Sequence, residues 1–177
     1  MSNELRIQLD FYDREGNNEA IVIPPAVIRA IGSPQHVQLL CDRKEQVFFI
    51  ADPLPDIPRL PRSWGDPQEE PISTLAESYD SDTGCYRIRN RSFMAFLREY
   101  IPHAEVKCIF SVEGEHVTEK MVAFEVKKVK PDVDATIARI ASEESRKKRR
   151  AKQPFRLDEY VFMPELKSRL SIGGHGN

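Results

Sequence analysis

The sequence predicts an α+β protein that is mostly β, with a helical, basic C-terminal tail. Three observations predict it. Apolar segments of strand length recur up to residue 130 and are separated by polar turns. Within that range, helical spacing follows Pro24 and again follows Asn90. The charge balance then reverses: residues 1–130 carry 16 Lys and Arg against 21 Asp and Glu, and residues 131–177 carry 10 against 7.

The first strand runs from Leu5 to Asp13. Leu5, Ile7, Leu9 and Phe11 alternate onto one face, and Arg6, Gln8 and Asp10 share the other. Arg14-Glu15-Gly16-Asn17-Asn18 is a turn signal. Glu19–Gly32, EAIVIPPAVIRAIG, then reads as a strand entering a short helix. Ile21 and Ile23 are β-branched and point to the same side. Pro24 and Pro25 stop the strand and fit the first helical turn, where a missing N–H has no partner to lose. Val27, Ile28 and Ile31 share a helix face, Arg29 faces away, and Gly32 suits a left-handed cap. Two more strands follow, Val37–Leu40 and Val47–Ile50, joined by the polar turn 42–45. The expected core is Ile21, Ile23, Val27, Ile28, Ile31, Val37, Leu39, Val47 and Phe49.

The order strand, turn, strand, short helix, hairpin, with I-V-I-P-x-x-x-I-R-x-x-G at its centre, resembles the AbrB-like swapped-hairpin family. That family holds prokaryotic transition-state regulators and MazE-type antitoxins. The resemblance covers residues 4–52. It implies a swapped-hairpin β-barrel in which two copies interlock their hairpins into one small barrel. It also implies DNA as the partner, met by basic residues of the first hairpin and its turn. The family usually places an arginine directly after the turn glycine; here Asn17, Asn18 and Glu19 follow Gly16.

Residues 53–71 hold six of the 13 prolines, so they read as an extended linker that residues 72–83 continue. Trp64 and Leu60 lie in it and suit docking on a neighbouring domain. Residues 84–130 offer a second copy of the module: a strand Cys85–Ile88, a helix capped by Asn90 or Ser92 with Phe93, Phe96, Leu97 and Tyr100 on its stripe, then strands Val106–Val112 and Met121–Val129 around a polar turn 113–119. Laying Ile23 on Ile88 puts Ile28 on Phe93. The I-P signature and closing glycine are absent there. The barrel is then formed either between two chains or inside one, as an internal pseudo-dimer.

Val133–Ala151 reads as a helix, and residues 145–152 place six positive charges in eight positions. Such a run is a solvated face or a phosphate-contacting one. Leu157, Tyr160, Phe162 and Leu166 suit docking on a protein partner.

An enzyme is not indicated. His36, His103, His116 and His175 show no ligand spacing, the eight glycines form no phosphate-cradling loop, and Asp10, Asp13, Asp80 and Asp82 suit turns and solvated loops. Cys41, Cys85 and Cys108 are neither paired nor clustered and fit buried thiols in a reducing cytoplasm. No metal or cofactor is called for. No apolar run approaches the ~20 residues of a membrane span, and the polar N-terminus lacks a signal-peptide core.

Two function classes follow. In the first the chain is a DNA-binding regulator, with Arg6, Arg14, Asn17, Asn18 and Arg29 as contacts and Arg146, Lys147, Lys148, Arg149 and Arg150 as a further phosphate-binding run. In the second it is an interaction module, such as an antitoxin or accessory subunit, that grips a protein partner through residues 133–177.

Overall fold

The computed structural model describes residues 5–12, 18–53, 72–102, 104 and 107–152. Elements follow in the order β1 (Arg6–Asp10), β2 (Ala20–Ile23), α1 (Pro25–Ala30), β3 (His36–Asp42), β4 (Val47–Ala51), β5 (Ser73–Thr74), α2 (Leu75–Ser78), β6 (Tyr79–Asp80), β7 (Cys85–Ile88), α3 (Arg91–Tyr100), β8 (Ile109–Thr118), β9 (Met121–Glu125), β10 (Lys130–Pro131) and α4 (Val133–Lys152). The chain divides into two compact units, Met1–Ile137 and Ala138–Asn177, with the boundary inside α4.

The first unit is α+β. Its strands form one curled antiparallel sheet in the order β5-β3-β4-β9-β8-β1-β2-β7-β6, with β10 beside β8. The end strands β5 and β6 are separated along the chain only by the four residues of α2. The curl therefore brings both sheet ends to one short stretch.

The pairing is two-fold related. β2 pairs its counterpart β7, with Ile21 opposite Ile88 and Ile23 opposite Tyr86. β4 pairs its counterpart β9, with Phe48 opposite Phe124 and Ile50 opposite Val122. β1 pairs β8, and β5 pairs β3 in the mirror relation. Exchanging the two halves maps every pairing but that of β10 with β8 onto itself or onto another, with β5 and β6 together standing for a broken β1. The edges of residues 20–51 are thus met by strands of residues 73–125 in the same chain.

The core lies inside this curl. Phe48 stacks on Phe124 at 5.1 Å between ring centres and meets the edge of Phe93 at 5.6 Å. Phe11 and Phe110 pack edge to face at 5.7 Å. Stacked and edge-on aromatic pairs add about 0.5–1.5 kcal/mol beyond their area. Val27, Ile28 and Ile31 from the α1 segment bury beside Phe93, Met94 and Leu97 of α3. One extra residue separates β7 from the cap of α3, so Val27 rather than Ile28 is equivalent to Phe93.

Local chemistry accounts for the element ends. Gly32 has φ +89°. Its N–H donates to the Arg29 carbonyl (3.1 Å), and Ser33 N–H donates to that of Ile28 (2.9 Å). This double closure is a Schellman motif. Asn90 caps α3: its Oδ1 accepts from Phe93 N–H at 3.0 Å. Asp132 caps α4, accepting from Ala135 N–H at 3.0 Å. Thr136 Oγ1 accepts from Ile109 N–H (3.0 Å), which fixes the first turn of α4 against β8.

Several expectations need correction. In β4 the buried side chains include Phe48 and Ile50, while Val47 and Phe49 are only partly covered. All four residues are apolar, so alternation there carried no phase; the register against β3 and β9 set it. The polar stretch 113–118 is not a turn but the outer half of β8, largely exposed where β1 no longer covers its edge and only β9, itself backed by β4, pairs it. Its polarity reflects that exposure. Residues 73–80 are short strands and a helical turn rather than loop. The strand expected up to Val129 ends at Glu125 and passes into a 3-10 turn, Val126–Lys128. Cys41, Cys85 and Cys108 are free thiols. Trp64, Leu60 and residues 153–177 lie outside the described residues, and no helix among those described is long and apolar enough to cross a membrane.

Candidate nucleic-acid interface

β1 and β2 pair antiparallel, and residues 13–17 between them, Arg14 and Asn17 included, lie outside the described residues. Both flanks of that segment are described, and an arginine from the other half joins them. Asp10, at the end of β1, is 1% exposed. Its Oδ1 accepts from Tyr12 N–H at 3.0 Å. Its Oδ2 accepts from Arg87 Nη2 at 2.5 Å. Arg87 Nη2 also donates to the Asn18 carbonyl at 3.1 Å, where the chain enters β2. One guanidinium therefore ties both ends of the turn. The strand register brings it there, because Arg87 stands opposite Val22. A buried carboxylate needs such a partner, since an unpaired charge there is costly.

Glu19, next to Asn18, accepts from Arg98 Nη1 of α3 at 3.0 Å, and its side chain is 10% exposed. Beside this pair opens a concavity of about 620 Å³ lined by Glu19, Arg89, Asn90, Arg91, Ser92 and Arg98 among others. Arg89 and Arg91 are exposed.

The residues expected as DNA contacts fall in different places. Asn18 is exposed at the base of the turn. Arg29 is exposed near the end of α1. Arg6 is engaged elsewhere: its Nη2 donates to Ser111 Oγ at 2.8 Å and to Asp132 Oδ2 at 2.9 Å. It thereby holds β1 to β8 and to the cap of α4, and it borders a depression with Pro24 and Ala26. Arg146, Lys147, Lys148, Arg149 and Arg150 lie in the second unit, all exposed along α4. The Arg139–Glu143 pair (3.6 Å) braces that helix one turn earlier.

Arg87, Arg89, Arg91 and Arg98 escaped the sequence reading. The signal was present in R-I-R-N-R, arginines at every second position running from a strand into a helix. Alternation puts Arg87 and Arg89 on one strand face. That the face meets the first hairpin follows only from pairing between the halves.

Asp80 builds its own turn, accepting from Asp82 N–H and Thr83 Oγ1 at 3.0 Å each; the Thr83 hydroxyl holds its carboxyl below the usual range. No group of three or more His, Cys, Asp or Glu among the described residues is arranged to hold a metal ion. No family model, curated protein or solved structure matches the chain.

Proposed function

We propose that this chain is a single-chain counterpart of an AbrB-like swapped-hairpin dimer and that it acts as a DNA-binding transcriptional regulator. The observation that carries the reading is the two-fold pairing of the halves, β2 on β7 and β4 on β9. Two separate swapped-hairpin chains would supply such pairing to each other; here residues 84–130 supply it to residues 20–51. In this reading the β1–β2 turn projects toward DNA. Arg14, Asn17 and Asn18 reach phosphates and base edges, and Arg29 adds a phosphate contact. The run Arg146–Arg150 adds affinity that is indifferent to sequence.

The test is binding to duplex DNA across a salt series. Arg14→Ala with Arg29→Ala is expected to weaken binding with little change in melting temperature. Replacing Arg146–Arg150 by glutamine is expected to weaken it evenly across sequences and to flatten its salt dependence. Unchanged affinity in both variants would remove the regulator reading.

A second reading is favoured by one observation. Val133, Ile137 and Ile140 are 61%, 58% and 41% exposed and fall on one face of α4 at i, i+4 and i+7. In this reading the segment 133–177 binds a protein partner, as an antitoxin or accessory subunit would. Apolar docking of that kind keeps its affinity as salt rises, whereas phosphate contacts lose theirs steeply.

A further inference from the structure

We propose that the concavity at the junction of β7 and α3 binds the phosphodiester backbone of a nucleic acid, with Arg89 and Arg91 as its phosphate contacts. The proposal rests on the nucleic-acid reading above and assigns it a surface in the second half of the chain.

The charges of the site are unequal. Glu19 is the acid on its wall, and Arg98 already holds it at 3.0 Å. Asp10 likewise holds Arg87. Arg89 and Arg91 then remain, exposed and with no ion pair among the described residues. They flank Asn90, whose side chain is committed to capping α3. Two such cations raise the energy of the empty site, and an anion between them relieves it.

Arg91 also breaks a local rule. It is the first residue of α3, whose opening turn contains no acid. Acids are favoured at that end of a helix and cations at the other, by about 0.3–1 kcal/mol each. A rule broken without a gain in folding marks a position kept for something else. The setting sharpens the contrast, because residues 1–130 carry 16 cationic against 21 acidic side chains. A bare basic concavity on that background attracts an anion locally while the surrounding surface repels one.

The neighbourhood selects a polymer over a small anion. The space is open and about 620 Å³, larger than one phosphate fills. Its wall includes Glu19, which follows Asn18 at the base of the β1–β2 turn. A backbone that meets Asn18 and Glu19 at the entry to β2 passes the concavity. Guanidinium groups are suited to phosphate because they donate in a planar fork.

The test uses the full chain. Arg89→Ala/Arg91→Ala and Arg89→Lys/Arg91→Lys are compared with wild type for binding to duplex DNA and to an RNA of equal length. Both positions are exposed and Arg91 stands at the helix end that disfavours a cation, so the alanine pair should melt no lower than wild type. The alanine pair should reduce the slope of log affinity against log salt by roughly 2 for duplex DNA. Its affinity should fall roughly tenfold less than that of wild type between 50 and 200 mM salt. The lysine pair should restore the slope. If wild type binds and the alanine pair matches it in affinity and slope, the proposal is overturned while the regulator reading stands. If wild type binds neither nucleic acid, both fall together. Pyrophosphate is added as a separate probe. Amide shifts at Arg91 and Ser92 with pyrophosphate, without nucleic-acid binding, would identify a free-anion site and overturn the backbone assignment.

Discussion

Arg87 carries a charge from one half of the chain into the other, and its removal should expose what it does. Asp10 is buried and ion-paired to it. Arg87→Met would leave that carboxylate without this guanidinium, which costs about 3–5 kcal/mol for a buried pair. Removing both charges in Asp10→Val/Arg87→Met should recover much of the loss, since the desolvation of both ions then disappears. Denaturant unfolding of the two single variants and the double reads the coupling directly. A double variant as unstable as the sum of the singles would show that the pair does not act as a unit. A second residue-scale prediction concerns acid. Lys127 and Lys128 hold the Glu125 carboxyl below its usual range, and Lys128 Nζ bridges Glu115 and Glu125 at 2.8 Å each. A depressed carboxyl contributes stability above its unfolded pKa and loses it as pH falls through the folded value. Glu125→Gln should therefore lower the melting temperature slightly at pH 7 and not at all at pH 2. An equal decrease at both values would assign the effect to packing.

At the scale of elements, the helix ends are the features most legible in sequence. Pro24, Pro25, Gly32 and Asn90 each have a backbone reason that needs no tertiary contact. Gly32→Ala should cost about 1 kcal/mol, because a side chain at φ +89° is strained even though nothing lies within 4 Å of its Cβ. Gly114 behaves differently. A Cβ there would lie 2.5 Å from a Phe124 ring carbon and 2.7 Å from a Val122 methyl. Gly114→Ala should cost about 1–3 kcal/mol through overpacking, read as a lower denaturation midpoint with an unchanged slope. That close approach was invisible in sequence, because it depends on the register of β8 against β9. The phase of β4 failed for the same reason. Val47-Phe48-Phe49-Ile50 offers apolar residues on both faces, and only its neighbours decide which face turns inward. The short strands β5 and β6 have two residues each, too few for any periodicity. At the candidate interface, Gly16 and Asn17, which signal the turn in sequence, lie outside the described residues. The arginines of β7 and α3 were not legible, since their proximity to Asn18 and Glu19 is a product of pairing across 69 and 79 positions of sequence.

For the whole molecule, the decisive question is where each half finds its partner. β2 and β4 take β7 and β9 within one chain, and β1 takes β8. A fragment ending at residue 53 would leave all those edges open, a condition that small β-proteins do not tolerate in isolation. The same holds for a fragment starting at residue 72. Joined in one chain, the halves meet at an effective concentration of the order of millimolar. Against micromolar free chains this favours internal pairing by about 4 kcal/mol. Three outcomes are expected. In the intact chain the first unit should unfold in one transition whose midpoint does not depend on protein concentration, because Phe48, Phe93 and Phe124 belong to one core. Fragments 1–53 and 72–152 should each lack a folded spectrum alone. Mixed in equal amounts they should fold together, with a midpoint that rises with concentration. Analytical ultracentrifugation and circular dichroism of the fragments, alone and mixed, measure all of this. A fragment 1–53 that forms a stable homodimer and gains nothing from 72–152 would show that the first half pairs with itself, and that the internal two-fold arrangement is not what holds it.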